Sequence, residues 1–228
     1  YFVKAIEKNM TKVAKLLLKK GAKLNKAQKK KALFFAAMNK KNGVLRYLVK
    51  KGASVNWKDK NGQTPLMIAC QNKAHKMIHY LLSKNAKIEM KDKQGKTALY
   101  YAVLNKDRDS VTALLDKQAN VHVQDEKKNT LLIDAVKIEA KKIAIKLIKN
   151  KIDVNAQNKK GRTALMYAVI RQNEYLVKLL IRKKANVNMI DKSGKTALDY
   201  AYIRKNGDLA DILQTHNAKR GEQISSQK

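Results

Sequence analysis

Cysteine, proline and aromatic residues are scarce in this chain of 228 residues, which has one Cys, one Pro and 6% aromatic side chains. A single thiol, Cys70, cannot form an internal disulfide, and no Cys/His set has the spacing of a zinc site. The longest apolar runs, such as residues 13–18 with Lys15 inside, fall far short of the roughly 18 residues that span a membrane. We therefore expect a fold without disulfide, metal, cofactor or transmembrane segment.

Acidic residues are also few, because 18 Asp and Glu stand against 51 Lys and Arg and leave a formal net charge of +33. Only seven of the basic residues are Arg, the side chain that usually makes forked contacts with phosphate or carboxylate. Residues 1–58 hold 17 of the basic residues and one acid, Glu7. Such a field speeds encounters with anions and makes binding salt-dependent. Two interpretations stay open: a solvated surface with a compositional bias, and a surface that attracts anionic partners.

A repeat of 33 residues organises the sequence. Its most regular member is a Thr, found at positions 64, 97, 130, 163 and 196. An Ala follows each Thr after five residues and a Leu follows each Ala after twelve, as at Ala69 and Leu81. The copies close on Ala-x-[Val/Ile]-[Asn/Glu/His], for example at residues 185–188. A sixth copy precedes these with Lys31 in place of the Thr, and residues 2–25 form a partial seventh.

These residues resemble the ankyrin repeat, whose period and Thr-Pro-Leu-His-x-Ala core they follow from residue 2 to about residue 218. The resemblance implies an all-α solenoid, in which stacked helix-turn-helix units alternate with short β-hairpin fingers and each unit buries its apolar faces against its neighbours. We expect a polar tail over 219–228 that frays. About seven units are predicted within an ankyrin-repeat domain at 1–218, near residues 1–25, 26–56, 57–89, 90–122, 123–155, 156–188 and 189–218.

Several residues depart from the family pattern. The second helix of an ankyrin unit usually ends at a Gly with a left-handed backbone, and these positions hold Gly21, Gly52, Asn85, Gln118, Lys151, Lys184 and Asn217. Gln and Lys adopt that conformation at a cost of roughly 1 kcal/mol, so we expect an array of modest stability. The family His after Thr-Pro-Leu is also replaced, by Asp199 in the last unit, which removes its hydrogen bond to the Thr.

Other recurring residues have structural interpretations. The hairpin turns hold Asp59, Asp92, Asp125 and Asp191, whose side chains we expect to accept turn amides. Tyrosines share one first-helix position at 101, 167 and 200, where we predict packing rather than ligand contact. Asp134 takes that position in the unit near 123–155, which also has Lys128 where other hairpins have Gly. This unit is either specialised or decayed.

Two triplets look like the end of a phosphate-binding loop, namely Gly95-Lys96-Thr97 and Gly194-Lys195-Thr196. Met90 and Met189 stand where that motif requires its first Gly, and the repeat accounts for both triplets. Nucleotide binding is therefore not predicted.

Candidate catalytic and metal-binding residues have equally plain interpretations. His75 and His79 are four residues apart, but no third ligand is near, so we expect solvent-facing side chains. Cys70 falls where the repeat needs a small buried residue, which indicates a packed thiol. No Ser, His and acid combination has supporting context, so we predict that the protein is not an enzyme.

The resemblance also implies where a partner binds, because ankyrin partners lie along a concave side made of hairpin tips and the exposed faces of the first helices. Here the tips are mostly cationic and one apolar residue recurs near the ends of the first helices, either as a row of binding anchors or as a seam buried between units. The predicted partner-binding residues are Trp57, Lys58, Lys60, Lys91, Lys93, Lys96, Leu104, Lys127, Ile138, Lys159, Lys160, Arg162, Ile170, Arg171, Ile190, Lys192, Lys195 and Ile203.

We predict a monomeric, non-enzymatic module whose basic concave face binds an acidic protein. One alternative is a binder of polyanions, nucleic acid or acidic lipid, which the scarcity of Arg and the lack of aromatic platforms disfavour. Another is an inhibitor or immunity protein that caps a toxin or enzyme. The chain begins with Tyr1 rather than Met, so we expect an upstream segment, and export to a periplasm or host is preferred over the cytosol.

Overall fold

A computed structural model of the chain describes residues 23–226 together with residues 4, 5, 8, 12, 13, 16, 17, 20 and 21. The unit expected near 1–25 lies mostly outside the described residues. Over 23–226 the backbone forms paired helices, as the all-α prediction requires. Their bounds are α1 Lys26–Met38, α2 Asn42–Lys50, α3 Pro65–Gln71, α4 His75–Ser83, α5 Ala98–Leu104, α6 Arg108–Leu115, α7 Leu131–Lys137, α8 Lys141–Lys149, α9 Ala164–Ile170, α10 Glu174–Arg182, α11 Ala197–Ile203, α12 Gly207–Gln214 and α13 Gly221–Ser225.

The recurring Thr caps the first helix in the five units that carry it. In α9, for example, the Thr163 hydroxyl accepts the backbone N–H of Met166 at 3.3 Å, which satisfies one of the free amides at the helix start. The recurring Ala in the middle of the same helices, such as Ala168, is fully buried and lets neighbouring helices approach closely. The recurring Leu of the second helices, such as Leu180, is fully buried too. The repeat is therefore a packing pattern.

In the unit near 26–56, α1 begins at Lys26 after an Asn25 cap. Lys31 therefore lies inside the helix and does not take the place of the Thr.

The chain divides into two compact bodies, residues 1–120 and residues 121–228. In the first body, α1, α3 and α5 pack in one row and α2, α4 and α6 pack in a second row. In the second body, α9 packs between α7 and α11, and α10 packs on α12. Each body is thus a two-layer stack of helix pairs, as the ankyrin solenoid implies.

The fingers between the helix pairs are tight turns with almost no strand pairing. Within residues 23–226, an isolated antiparallel bridge between Gln124 and Thr130 is the one strand-like pair. The predicted left-handed ends of the second helices are confirmed, with φ of 55° at Asn85 and 61° at Lys184. A second left-handed series closes the first helices, at Lys40, Lys73, Lys106, Glu139, Gln172 and Lys205, and the sequence analysis did not predict it.

The tail does not fray over its described residues. Lys219 N–H donates to Asn188 Oδ1 at 2.7 Å, and α13 follows. Gly221 N–H donates to Asp199 Oδ2 at 2.7 Å, while the Arg220 Nε donates to the other oxygen at 3.0 Å. Asp199 also accepts Thr196 N–H at 2.9 Å, so in this unit the link to the Thr is kept by an acid in place of His.

Candidate binding surface

Each finger is a tight turn built around one acceptor side chain. In the first full finger, Asp59 Oδ1 accepts the backbone N–H groups of Asn61 and Gln63, both at 2.8 Å. The pattern recurs at Asp92, Asp125 and Asp191, and at Asn158 in the remaining finger. The predicted structural role of these acids is confirmed. Because the turn amides are satisfied inside the turn, the tip side chains are not needed to hold it.

Neighbouring fingers within each body are joined by backbone hydrogen bonds. Lys93 N–H donates to the Asn61 carbonyl at 3.0 Å in the first body, and Lys192 N–H donates to the Lys160 carbonyl at 3.0 Å in the second. Gly161 permits this approach, because a Cβ there would lie 2.8 Å from the Lys192 nitrogen, and its φ is 74°. The finger tips are therefore held in a fixed register inside each body.

The first-helix tyrosines anchor the fingers from behind. Each hydroxyl reaches the acceptor residue of the finger nine positions earlier, in pairs that join Tyr101 to Asp92 at 2.5 Å, Tyr167 to Asn158 at 3.1 Å and Tyr200 to Asp191 at 2.6 Å. Burial and the hydrogen bond to the Asp92 carboxylate raise the pKa of Tyr101 to about 12. The predicted packing role is correct but incomplete, because the hydroxyls also hold the turns.

The unit near 123–155 replaces this anchor. Asp134 stands at the tyrosine position, is 6% exposed and receives the Lys137 ammonium at 2.9 Å. The Asn129 side chain donates to Asp125 Oδ2 at 3.1 Å and takes over the role of the missing hydroxyl. Its own carbonyl oxygen accepts from Asn158 Nδ2 at 3.0 Å. Asp134 and Asn129, the unusual residues of this unit, thus have polar partners of their own.

Most of the predicted lysines at the tips are exposed. In the first body these are Lys58, Lys60, Lys91 and Lys93, and in the second body Lys127, Lys159, Lys160 and Lys192. We call these two sets the finger faces of their bodies. Lys96 and Lys195 are half-buried, and Lys58 Nζ donates to the Lys91 carbonyl at 2.8 Å. Each finger face is a row of ammonium groups on a rigid backbone.

Arg162 differs from the lysines around it. Its Nε donates to Asp191 Oδ2 at 3.1 Å, and its guanidinium lies 5.1 Å from the centre of the Tyr200 ring. Burial lowers its pKa, but the hydrogen bond to Asp191 outweighs this and leaves the pKa above its usual range. Arg162 therefore connects neighbouring repeats. Arg171, the other arginine among the predicted partner-binding residues, is exposed.

The predicted apolar row is uneven. Leu104, Ile138 and Ile170 are half-buried, as are Trp57 and Ile190. Ile203 is 56% exposed, and Met38, near the end of its own first helix, is 54% exposed. The row thus contains both half-buried and exposed members.

One residue predicted to face solvent has a buried partner. His75 Nε2 lies 3.0 Å from both carboxylate oxygens of Asp107, which is 5% exposed and receives the Ser110 hydroxyl at 2.5 Å. Burial raises the pKa of Asp107, but the hydrogen bonds from Ser110 and His75 outweigh it and leave that pKa lowered. The spacing of His75 and His79 carried no signal for this pair, because Asp107 belongs to the next repeat.

Cys70 is fully buried, and burial raises the pKa of its thiol well above the usual range, so the packed-thiol prediction is confirmed. In the described part of the chain, His, Cys, Asp and Glu do not gather in threes as a metal site would need. Nor does that part contain a helix with the length and apolar character needed to cross a membrane.

A family model for ankyrin repeats in sets of three copies matches residues 2–59, 33–125 and 132–224. The chain belongs to the ankyrin repeat family. Ankyrin repeats are generally protein–protein interaction modules, and the family is generally non-enzymatic. A search of curated proteins gave no match. The fingers are the part of the chain from which the chemistry of the partner's surface can be inferred.

One set of inter-repeat residues was not predicted. The closing Asn of the x-x-Val-Asn stretches accepts a backbone N–H from the next repeat, 31 residues further on. Asn56 accepts from Lys87 at 2.8 Å, and Asn155 accepts from Asn186 at 2.8 Å. The recurrence of this Asn in the sequence was the signal available for it.

Proposed function

We propose that the ankyrin repeats of this protein bind an acidic protein surface through the finger faces. The observation that carries the proposal is the backbone ladder between fingers, together with the exposed ammonium groups on it. A preorganised row loses less conformational entropy on binding than a flexible loop does, and its cations match a partner rich in Asp and Glu. An inhibitor or immunity protein would use the same faces against one enzyme or toxin.

The charges on the fingers argue for attraction rather than for stability. The finger acids Asp59, Asp92, Asp125 and Asp191 accept backbone amides within the turns. Among the described residues, Asp191 pairs with Arg162 and none of these acids pairs with a tip lysine. Lysine rather than arginine dominates, which favours a long-range field over forked recognition of single phosphates. A protein carrying several carboxylates fits this field better than a nucleic acid backbone does.

The test is capture of partners from native lysate at low and high salt, with nuclease treatment, followed by binding kinetics with the captured protein. The test variant replaces Lys93, Lys159, Lys160 and Lys192 with Gln, and its matched control replaces four exposed lysines away from the fingers, Lys117, Lys142, Lys149 and Lys183. We expect slower association and a weaker salt dependence for the test variant alone. Equal losses in both variants, or loss of all captured material with nuclease, would contradict the proposal.

A further inference from the structure

A groove lies between α10 and α12 of the second body, away from its finger face. Its volume is about 450 Å³. The apolar part of its lining comes from Tyr175, Ile181 and Ile212. The second helices leave this groove open, whereas the small Ala168 and Ala201 let the first helices close fully. Tyr175 is an aromatic residue that stays 41% exposed there.

The rim of the groove is cationic. Lys178 and Arg182 line it, and the Lys141 ammonium lies 3.5 Å from the centre of the Tyr175 ring. Among the described residues Arg182 makes no ion pair.

Few acidic residues are placed to pair with the cations on the rim of the groove. Lys178 pairs with Glu174 at 2.5 Å, but both side chains are 54% exposed, and such surface pairs exchange readily with other partners. The acids on α12, Asp208 and Asp211, do not line the groove. The lining therefore offers an apolar floor beside cations that lack a buried counter-charge.

The shape of the lining selects the form of the ligand. Tyr175, Lys178 and Arg182 succeed one another at helical spacing along α10, so the groove extends for roughly 10 Å along that helix, at about 1.5 Å per residue. A groove of this form accepts side chains from one face of a helix, at positions three and four apart. We propose that the α10–α12 groove is a second docking site, and that its occupant is an acidic amphipathic helix of a partner protein.

The apolar side chains of that helix would cover Ile181, Ile212 and the Tyr175 ring, while its carboxylates meet Lys178 and Arg182. The proposal is independent of the finger faces, because the groove shares no residue with them. A partner that used both sites would gain avidity from two separate contacts on one chain.

The probe is a fluorescein-labelled synthetic helical peptide with Leu on one face and Glu beside it, titrated with the full chain by fluorescence anisotropy. We expect binding that falls about tenfold for Arg182→Glu, because the variant places like charges opposite one another. Arg108→Glu makes the same charge change at an exposed position at the start of α6 and should bind as the unaltered chain does. Tyr175→Ser should weaken binding as well, with its thermal midpoint measured to separate lost contact from lost folding.

Location is tested by amide chemical shifts of labelled protein with the same peptide. Shifts confined to residues 174–182 and 207–216 would support the proposal, as would loss of binding when Lys replaces Glu in the peptide. Shifts at fingers 125–129, 158–162 and 191–195 instead would overturn it. So would vesicles of anionic phospholipid that bind more tightly than the peptide and displace it, because the groove would then be a lipid-facing surface.

Discussion

Tyr200 donates its phenolic hydrogen to Asp191 Oδ2 at 2.6 Å, and this contact ties α11 to the finger before it. The same carboxylate receives the Arg162 Nε from the preceding finger, and its other oxygen holds the turn amides of Ser193 and Lys195. Burial would raise the pKa of Asp191, but these hydrogen bonds outweigh it and hold the pKa well below its usual range. One buried carboxylate thus joins a helix, its own finger and the preceding finger.

Tyr200→Phe removes that hydrogen bond and leaves the ring in place. We expect the free energy of unfolding to fall by about 1.5 to 3 kcal/mol, the range for hydrogen bonds to charged groups. Urea denaturation followed by circular dichroism measures it. Tyr202→Phe is the matched control, because Tyr202 is 46% exposed, and it should change stability little. Equal effects of the two variants would show that the contact does not stabilise the fold.

Three buried carboxylates make the protein sensitive to acid. The pKa values of Asp107, Asp191 and Asp199 are lowered in the fold, so their hydrogen bonds contribute stability above the unfolded pKa of about 4, and this stability is lost as the pH falls through the native values. We expect the thermal midpoint to drop steeply below about pH 4. Asp191→Asn should be less stable at neutral pH and show a shallower acid slope. An unchanged slope would contradict this account.

The raised pKa of Tyr101 predicts that the protein also loses stability at alkaline pH. Its pKa rises to about 12 through burial and the hydrogen bond to Asp92, so the fold favours the protonated phenol. That stability is present below the unfolded pKa of about 10 and is lost as the pH rises towards 12. Burial and the hydrogen bond to Asp191 raise the pKa of Tyr200 too, so tyrosinate absorbance should show late titration of both phenols, and Tyr101→Phe should remove one of them. Tyr175→Phe removes a phenol that is 41% exposed and should leave the late titration of Tyr101 in place.

Substitutions at two glycines distinguish the cost of a left-handed backbone from the cost of a close contact between fingers. Gly161 and Gly194 have φ of 74° and 71°, but a Cβ meets the Lys192 nitrogen at 2.8 Å in the first case and has nothing within 4 Å in the second. Gly194→Ala should cost roughly 1 kcal/mol, from the left-handed backbone alone. Gly161→Ala should cost clearly more, because the Lys160–Lys192 backbone bond must lengthen. Chemical denaturation of both variants compares them, and equal costs would rule out the contact effect.

The apolar row predicts different effects for buried and exposed members. Ile203→Ala should speed dissociation of a captured partner, with a loss of about 1 to 3 kcal/mol if it is an anchor, and leave the thermal midpoint nearly unchanged. Ile170→Ala should lower the midpoint as well, because Ile170 is half-buried. Surface plasmon resonance and thermal unfolding measure the two effects. Unchanged dissociation in Ile203→Ala would remove the row from the interface.

The sequence was sufficient for the helices and for the turn acids, because each depends on residues close together in one repeat. Thr163 caps α9 and Asp59 holds its own turn through neighbours a few residues away. Contacts between repeats were harder, since the partner of His75 is 32 residues distant and no local pattern names it. The tail was misjudged for the same reason: its anchor, Asp199, lies in the preceding unit. The side chains that meet a partner stay predictions.

The fingers satisfy their amides with residues that point inward, so the tips carry almost no folding constraint. Substitutions at Lys60, Lys93 or Lys160 change the recognition surface and leave the Asp-centred or Asn-centred turn beneath intact. Selection can therefore act on the specificity of this protein separately from its foldability. A lineage that exchanges one partner for another would need to alter only the outermost positions of a scaffold that stays the same.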